Sequence, residues 1–172
     1  MASIIGFPDP VNEVSARVVA AGVVVLGLVT VVLDQPWLSA VIAYGFVARV
    51  ITGPTLSPLG QLATRVVTPR LGVEPRFVPG PPKRFAQGIG AVLSVTAAVL
   101  ALGFGLPGAG SAVLGALVVA AGLEAGLGLC LGCQVFALLM RAGVIPREVC
   151  ERCADLGWGG GGRTRRAPTT AR

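Results

Sequence analysis

Ser111–Met140 reads SAVLGALVVAAGLEAGLGLCLGCQVFALLM, and this stretch decides the fold. Its 30 residues hold one charged side chain, Glu124, and no proline. A surface helix of a soluble protein keeps a polar face, whereas this run is apolar all round. At about 1.5 Å per residue it would extend about 45 Å, against a hydrocarbon core of about 30 Å. It therefore predicts a membrane span that tilts, kinks or protrudes. Three more apolar runs precede it: Val18–Leu33, Trp37–Ile51 and Phe85–Phe104. The first reaches spanning length when extended back to Val14, and Asp9-Pro10 reads as its start, with Asp9 as N-cap. Asp34-Gln35-Pro36, Gly53-Pro54 and the Gly- and Pro-containing turn at 105–110 separate the runs. The expected fold is all-α. Four transmembrane helices (about 14–33, 37–51, 85–104 and 111–136) form one domain over residues 1–156, with a Gly- and Arg-rich tail at 157–172 expected to be disordered.

Composition agrees. The chain has 172 residues, 53% of them hydrophobic and 13% charged, with a mean hydropathy of +0.80. Soluble domains carry about 25% charged residues. The formal net charge is +6, but the basic residues flank apolar runs and no nucleic-acid motif is present. The implied partner is the lipid bilayer, not nucleic acid. The first 16 residues contain no Lys or Arg, so no signal peptide is expected. There is no His, which removes the commonest general base and metal ligand.

The 52–84 connection is basic and Pro-rich. Within it Leu59, Leu62, Ala63, Val66 and Val67 fall at helical spacing opposite Gln61, Thr64 and Arg65. That pattern suits a short interfacial helix on the membrane, or a surface helix packed on the bundle. With four spans, all 14 Lys and Arg residues lie on one side. Excess Lys and Arg marks the cytoplasmic side. Both termini and the 52–84 loop are therefore expected in the cytoplasm of a bacterial cell, with the spans in its inner (plasma) membrane.

The four cysteines form two pairs, Cys130-x-x-Cys133 and Cys150-x-x-Cys153, with 16 residues between them. Residues i and i+3 share a helix face, so each pair can converge. Cys130 and Cys133 are expected at the cytoplasmic interface. Ile145-Pro146 then starts a new segment that carries Cys150 and Cys153 into the cytoplasm, where a lasting disulfide is disfavoured. One reading is thiol–disulfide exchange or a persulfide relay, with Arg141 and Arg152 favouring thiolates. A second is zinc held by four thiolates in a membrane scaffold. A third is plain packing of small apolar side chains.

Glu124 is the only acidic residue deep in a span, and such a group has a partner or a task. Arg49, Arg84 and Gln87 are the candidate partners. A transporter for a small sulfur anion or a metal would line its path with Arg49, Arg84 and Glu124. On an unbroken helix Glu124 lies about 120° from Cys130 and about 180° from Cys133, away from the thiols. Gly122-x-x-x-Gly126 and Gly128-x-x-x-Gly132 are spacings that admit close helix approach, within the bundle or in a homo-oligomer.

Several words of this chain resemble one bacterial membrane family. They are Asp9-Pro10-Val11-Asn12, Arg49, Gly53-Pro54, Ser57-Pro58-Leu59, Pro69-Arg70-Leu71-Gly72, the long word Gly80 to Gln87 (GPPKRFAQ), Leu123-Glu124-Ala125, Cys130-Leu131-Gly132-Cys133 and Ile145-Pro146. Over roughly residues 7–155 the chain resembles the family of domain of unknown function 4395. The resemblance implies a four-helix membrane protein and assigns no mechanism. The Ala-, Gly-, Val- and Arg-rich composition looks actinobacterial. Taken together, the expectation is a membrane protein that handles thiols or sulfur with Cys130, Cys133, Cys150 and Cys153. A thioredoxin-like or sulfurtransferase protein would be its partner.

Overall fold

The computed structural model describes residues 8–146 and Val149. Four long helices run up and down. They are α1 (Glu13–Val32), α2 (Leu38–Thr52), α5 (Gly80–Ala98, prolonged by a π-helical turn Val99–Gly103) and α6 (Pro107–Leu127). Between α2 and α5 lie α3 (Pro58–Gln61), a π-helical turn (Leu62–Val67) and α4 (Thr68–Arg70). A last helix, α7 (Leu131–Arg141), follows α6. Strands β1 (Val11–Asn12) and β2 (Phe77–Val78) pair antiparallel, Val11 opposite Val78. They tie the start of the chain to the connection that enters α5.

Among the described residues three helices are long and apolar enough to cross a membrane: α1, α5 with its π-helical turn, and α6. The second expected span is the 15-residue α2, about 22 Å long and short of a full core. The bundle is apolar outside as well as inside. Val25, Leu28, Tyr44, Val92 and Val119 are all exposed, while Val23, Ile42, Phe46, Ala97, Leu114 and Leu117 form the core. α2 packs chiefly on α5, and α1 on α6.

Several boundaries differ from expectation for identifiable reasons. Asn12, not Asp9, caps α1, accepting from the Val14 N–H at 3.0 Å. Asp9 Oδ1 instead accepts from the Gly80 N–H at 3.0 Å, at the start of α5. α5 begins at Gly80 rather than 85, because prolines in a first helical turn forfeit no hydrogen bond. In the 58–70 segment Ala63 is fully buried while Leu62 is exposed. The segment packs against α1.

The run that decides the fold is not one helix. α6 ends at Gly128, whose φ of 69° places it in the left-handed region that glycine adopts without strain. The Gly128 N–H bonds the Glu124 carbonyl, and the Leu129 N–H reaches back to Leu123. Arg17 of α1 seals this end, donating to the carbonyls of Ala125 and Gly126 at 2.9–3.2 Å. The chain then turns, and α7 starts at Leu131. With 11 residues, about 16 Å, α7 is too short to cross a bilayer. Gly132 lets it approach α5 closely, since a Cβ there would lie 2.5 Å from that of Ala86. Phe136 stacks obliquely on Phe85, centroids 5.6 Å apart. Gly122 and Gly126 make no such contact: the nearest side chain to Gly122 is 4.0 Å away, and Gly126 meets nothing within 4 Å.

Candidate functional site

The starts of α1, α5 and α7 and the ends of α2 and α6 lie together at one end of the bundle, called here the base. Here the long connection also packs. Most of the candidate residues meet at this base.

Glu124 projects from the last turn of α6, and its partner is Lys83 of α5, with Nζ 2.6 Å from Oε1. Both side chains are largely withdrawn from solvent, at 8% and 17% exposure. None of the expected partners forms this contact. Arg84, one residue on, is exposed and donates to the Val50 carbonyl at 3.2 Å. One residue is 100° of helix, enough to separate a core position from a surface one. A sequence signal for Lys83 does exist. Lys83, Gln87, Gly90, Ser94 and Ala97 recur at helical spacing, and all but the half-buried Gln87 are buried. That stripe of polar and small residues marks the inward face of α5 and excludes Arg84.

Arg49 of α2 is buried at 5% exposure. Its Nε donates to Gln87 Oε1 at 3.0 Å and its Nη1 to Ser57 Oγ at 3.1 Å. The guanidinium also lies over the Phe46 ring, 4.4 Å from the centroid. Ser57 does double duty, since its Oγ also accepts from the Gly60 N–H at the start of α3. The sequence marks Ser57 only within the word Ser57-Pro58-Leu59 and does not mark Phe46. Phe46, three residues before Arg49, is the one that helical spacing could have found.

Cys130 is the N-cap of α7 and Cys133 sits on its first turn. Both are free thiols, Cys130 buried and Cys133 partly buried. The expectation that Glu124 faces away from the thiols fails, because the helix it assumed breaks at Gly128. Glu124, Lys83, Arg49, Gln87 and Cys130 line one cavity of about 290 Å³. On the other side Cys130 and Cys133 line an open groove of about 560 Å³ with Lys83, Gln134 and Arg141. Cys130 thus stands between an internal cavity and an outer groove, and Lys83 borders both.

The electrostatics separate the two sulfurs, which lie beyond the last long helix. The hydrogen-bonding Cys133 thiol comes first, supported by the Lys83 ammonium. Together they hold the Cys130 thiol below its ordinary value, against burial and the Glu124 charge. The same thiol–thiol contact, followed by burial, pushes Cys133 up. Cys130 also stands at the N-terminus of α7, where the unpaired backbone N–H groups of a helix favour a negative charge. Cys130 is therefore the sulfur that ionises and Cys133 the one that keeps its proton.

Cys150 and Cys153 lie outside the described residues, so the approach of the second pair to the first is not part of this geometry. Among the described residues no cluster of three or more Cys, Asp or Glu is arranged to hold a metal ion. Four-thiolate zinc would need the second pair.

No curated protein and no solved structure matches the chain. The model of one family, described as a domain of unknown function (DUF4395), matches residues 11–141, from β1 through the Cys130/Cys133 turn to the end of α7, and the chain belongs to that family.

Proposed function

We propose that this is a polytopic membrane protein whose Cys130/Cys133 pair carries out thiol–disulfide exchange or sulfur relay at the cytoplasmic face. In this reading α1, α2, α5 and α6 cross the bilayer, with the short α2 accommodated by local thinning and by Trp37 at the far interface. The base and both termini then face the cytoplasm of a bacterial inner membrane. The 58–70 segment and α7 lie at the cytoplasmic interface.

The observation that carries the reading is the pairing at the start of α7. A CxxC whose first cysteine stands at the N-cap position of a helix, beside an ammonium and at an open groove, has the features that lower a thiol pKa and expose it to a partner. In the exchange the Cys130 thiolate attacks one sulfur of an incoming disulfide and expels the other as a thiolate, which takes up a proton. Cys133, losing its proton, then attacks Cys130 in the mixed disulfide and releases the second thiol. Two electrons pass from the pair to the substrate, and a Cys130–Cys133 disulfide remains. Cys150-x-x-Cys153, which follows α7, would be the dithiol that reduces it again. A thioredoxin-like or sulfurtransferase protein would be the outside partner.

The test is a redox titration of the full purified chain in glutathione buffers and with a persulfide donor, read by alkylation and mass spectrometry. The expected result is a reversible two-electron change at Cys130 and Cys133, lost in Cys130→Ser. Thiols that stay reduced throughout, together with about one zinc per chain that Cys150→Ser releases, would replace this reading with the zinc scaffold.

A further inference from the structure

Among the described residues one buried cation, Arg49, has no carboxylate in contact. Lys83 is matched by Glu124. Arg49 is as deeply buried, at 5% exposure. Yet its contacts are an amide oxygen, a hydroxyl and an aromatic face, none of them charged. Among the described residues the ion pairs are Lys83–Glu124 and Arg76–Glu13, so no carboxylate touches the guanidinium. An uncompensated charge in so apolar an interior is expensive, and buried charges are normally paired.

The guanidinium also has donors to spare. It offers five N–H groups, and the contacts to Gln87 and Ser57 engage Nε and Nη1 only. No enclosed side-chain nitrogen or oxygen among the described residues is without a partner. Nη2 therefore borders open space rather than packed protein. Gln87 gives its oxygen to Arg49, which leaves its NH2 group to donate. The cavity that Arg49 and Gln87 share with Cys130 has room for a small guest, at about 290 Å³. A second cavity of about 260 Å³ also contains Arg49 and Gln87 and continues to Pro8, Pro10 and Phe77 at the base. The two cavities share Ala16, Val19, Arg49 and Gln87 in their walls.

We propose that this cavity binds a small monovalent oxyanion, held by the Arg49 fork and the Gln87 amide beside the Cys130 sulfur. The planar guanidinium matches two oxygens at once. While the Cys130 thiol keeps its proton, Arg49, Lys83 and Glu124 carry one excess positive charge, which suits a monovalent guest. The site does not depend on redox chemistry and stands even if both thiols prove inert.

Nitrate is the probe, with gluconate, a much larger and more strongly hydrated monovalent anion, as the ionic-strength control. The full purified chain carrying Cys133→Ala is followed by its unfolding temperature and by the rate of Cys130 alkylation. Nitrate should raise the first and slow the second, and gluconate should do neither. Arg49→Gln should weaken the nitrate response at least about tenfold, the loss of one charge-assisted contact. Cys130→Ala should keep the rise in unfolding temperature. If Arg49→Gln does not fold, Arg49→Lys, which keeps the charge and loses the fork, takes its place with the same expectation. Equal effects of nitrate and gluconate, or a nitrate effect untouched by either substitution, would overturn the proposal. So would a nitrate response that vanishes in phosphatidylglycerol nanodiscs but persists in phosphatidylcholine ones, because a net-anionic lipid headgroup would then own the site.

Discussion

The two ends of the bundle are built differently. At the end away from the base, the turns carry exposed Leu33, Trp37, Phe104 and Leu106. Their side-chain hydrogen bonds are local: Trp37 to Gln35, Gln35 to the Leu33 carbonyl, Ser39 to the Pro36 carbonyl. At the base the bonds join elements far apart in sequence. Arg17 reaches α6, Ser15 meets Thr68, Arg49 joins α2 to α5 and α3, and Lys83 joins α5 to α6. Apolar packing and short turns suffice to keep helices together. Fixing a few side chains within a fraction of an ångström takes directional bonds, and a working site needs that support. That contrast is the reason the proposed thiol chemistry is assigned to the base.

The sharpest test of that contrast is sidedness, where the expected effect is all or none. In a protein with its native cysteines replaced by Ser, Gln35→Cys should be labelled by an impermeant maleimide only from outside intact cells. Glu74→Cys should be labelled only after permeabilisation. Labelling of both from one side would remove the cytoplasmic placement of the base.

Next in size is the buried ion pair. Lys83→Met leaves Glu124 without its cation at 17% exposure and should cost about 3 kcal/mol in reversible unfolding in mixed micelles. Lys83→Met with Glu124→Leu should recover most of that loss, because two apolar side chains replace two matched charges. Arg84→Met, one residue away on the exposed side, should change stability by less than about 0.5 kcal/mol. Equal losses for Lys83→Met and Arg84→Met would mean that the assignment of the inward face of α5 is wrong.

A smaller effect separates the glycines. Gly132→Ala drives a methyl against Ala86, with 2.5 Å between the two Cβ atoms, and should cost about 1–3 kcal/mol while speeding Cys133 alkylation as α7 lifts. Gly126→Ala meets nothing within 4 Å and should stabilise α6 by up to about 1 kcal/mol.

These pairs also mark what could be read from the sequence. The all-helical fold and the apolar runs were legible, because composition and turn residues act locally. The junction at Gly128 was not, since nothing in Glu124–Cys133 distinguishes a left-handed glycine from one inside a helix. The helix that Cys130 opens, two residues after Gly128, therefore reads in the sequence as part of the same span. The angular argument separating Glu124 from the thiols failed with it. Arg84 was preferred to Lys83 because both sit in one basic word, and only the spacing of Gln87, Gly90 and Ser94 tells the inward one. Arg49, Gln87 and Glu124 were legible as polar residues in apolar runs, but their shared cavity depends on how α2, α5 and α6 pack.

The finest test concerns the acidity of Cys130 and reads the base from the inside. Cys133 and then Lys83 lower this thiol, while burial and Glu124 raise it. Lys83→Met removes a cation and also frees the Glu124 charge, and both changes disfavour the thiolate. The midpoint of the Cys130 alkylation rate against pH should move up. Glu124→Gln removes an anion and releases Lys83 from it, and both changes favour the thiolate, so the midpoint should move down. Opposite signs from the two halves of one ion pair cannot come from a general loosening of the fold, which would expose Cys130 in both variants and shift both toward the value of a free thiol. The profile is measured on protein carrying Cys133→Ala, Cys150→Ser and Cys153→Ser, so that a single sulfur reports. Shifts of the same sign would show that exposure, not the Lys83–Glu124 field, governs the thiol.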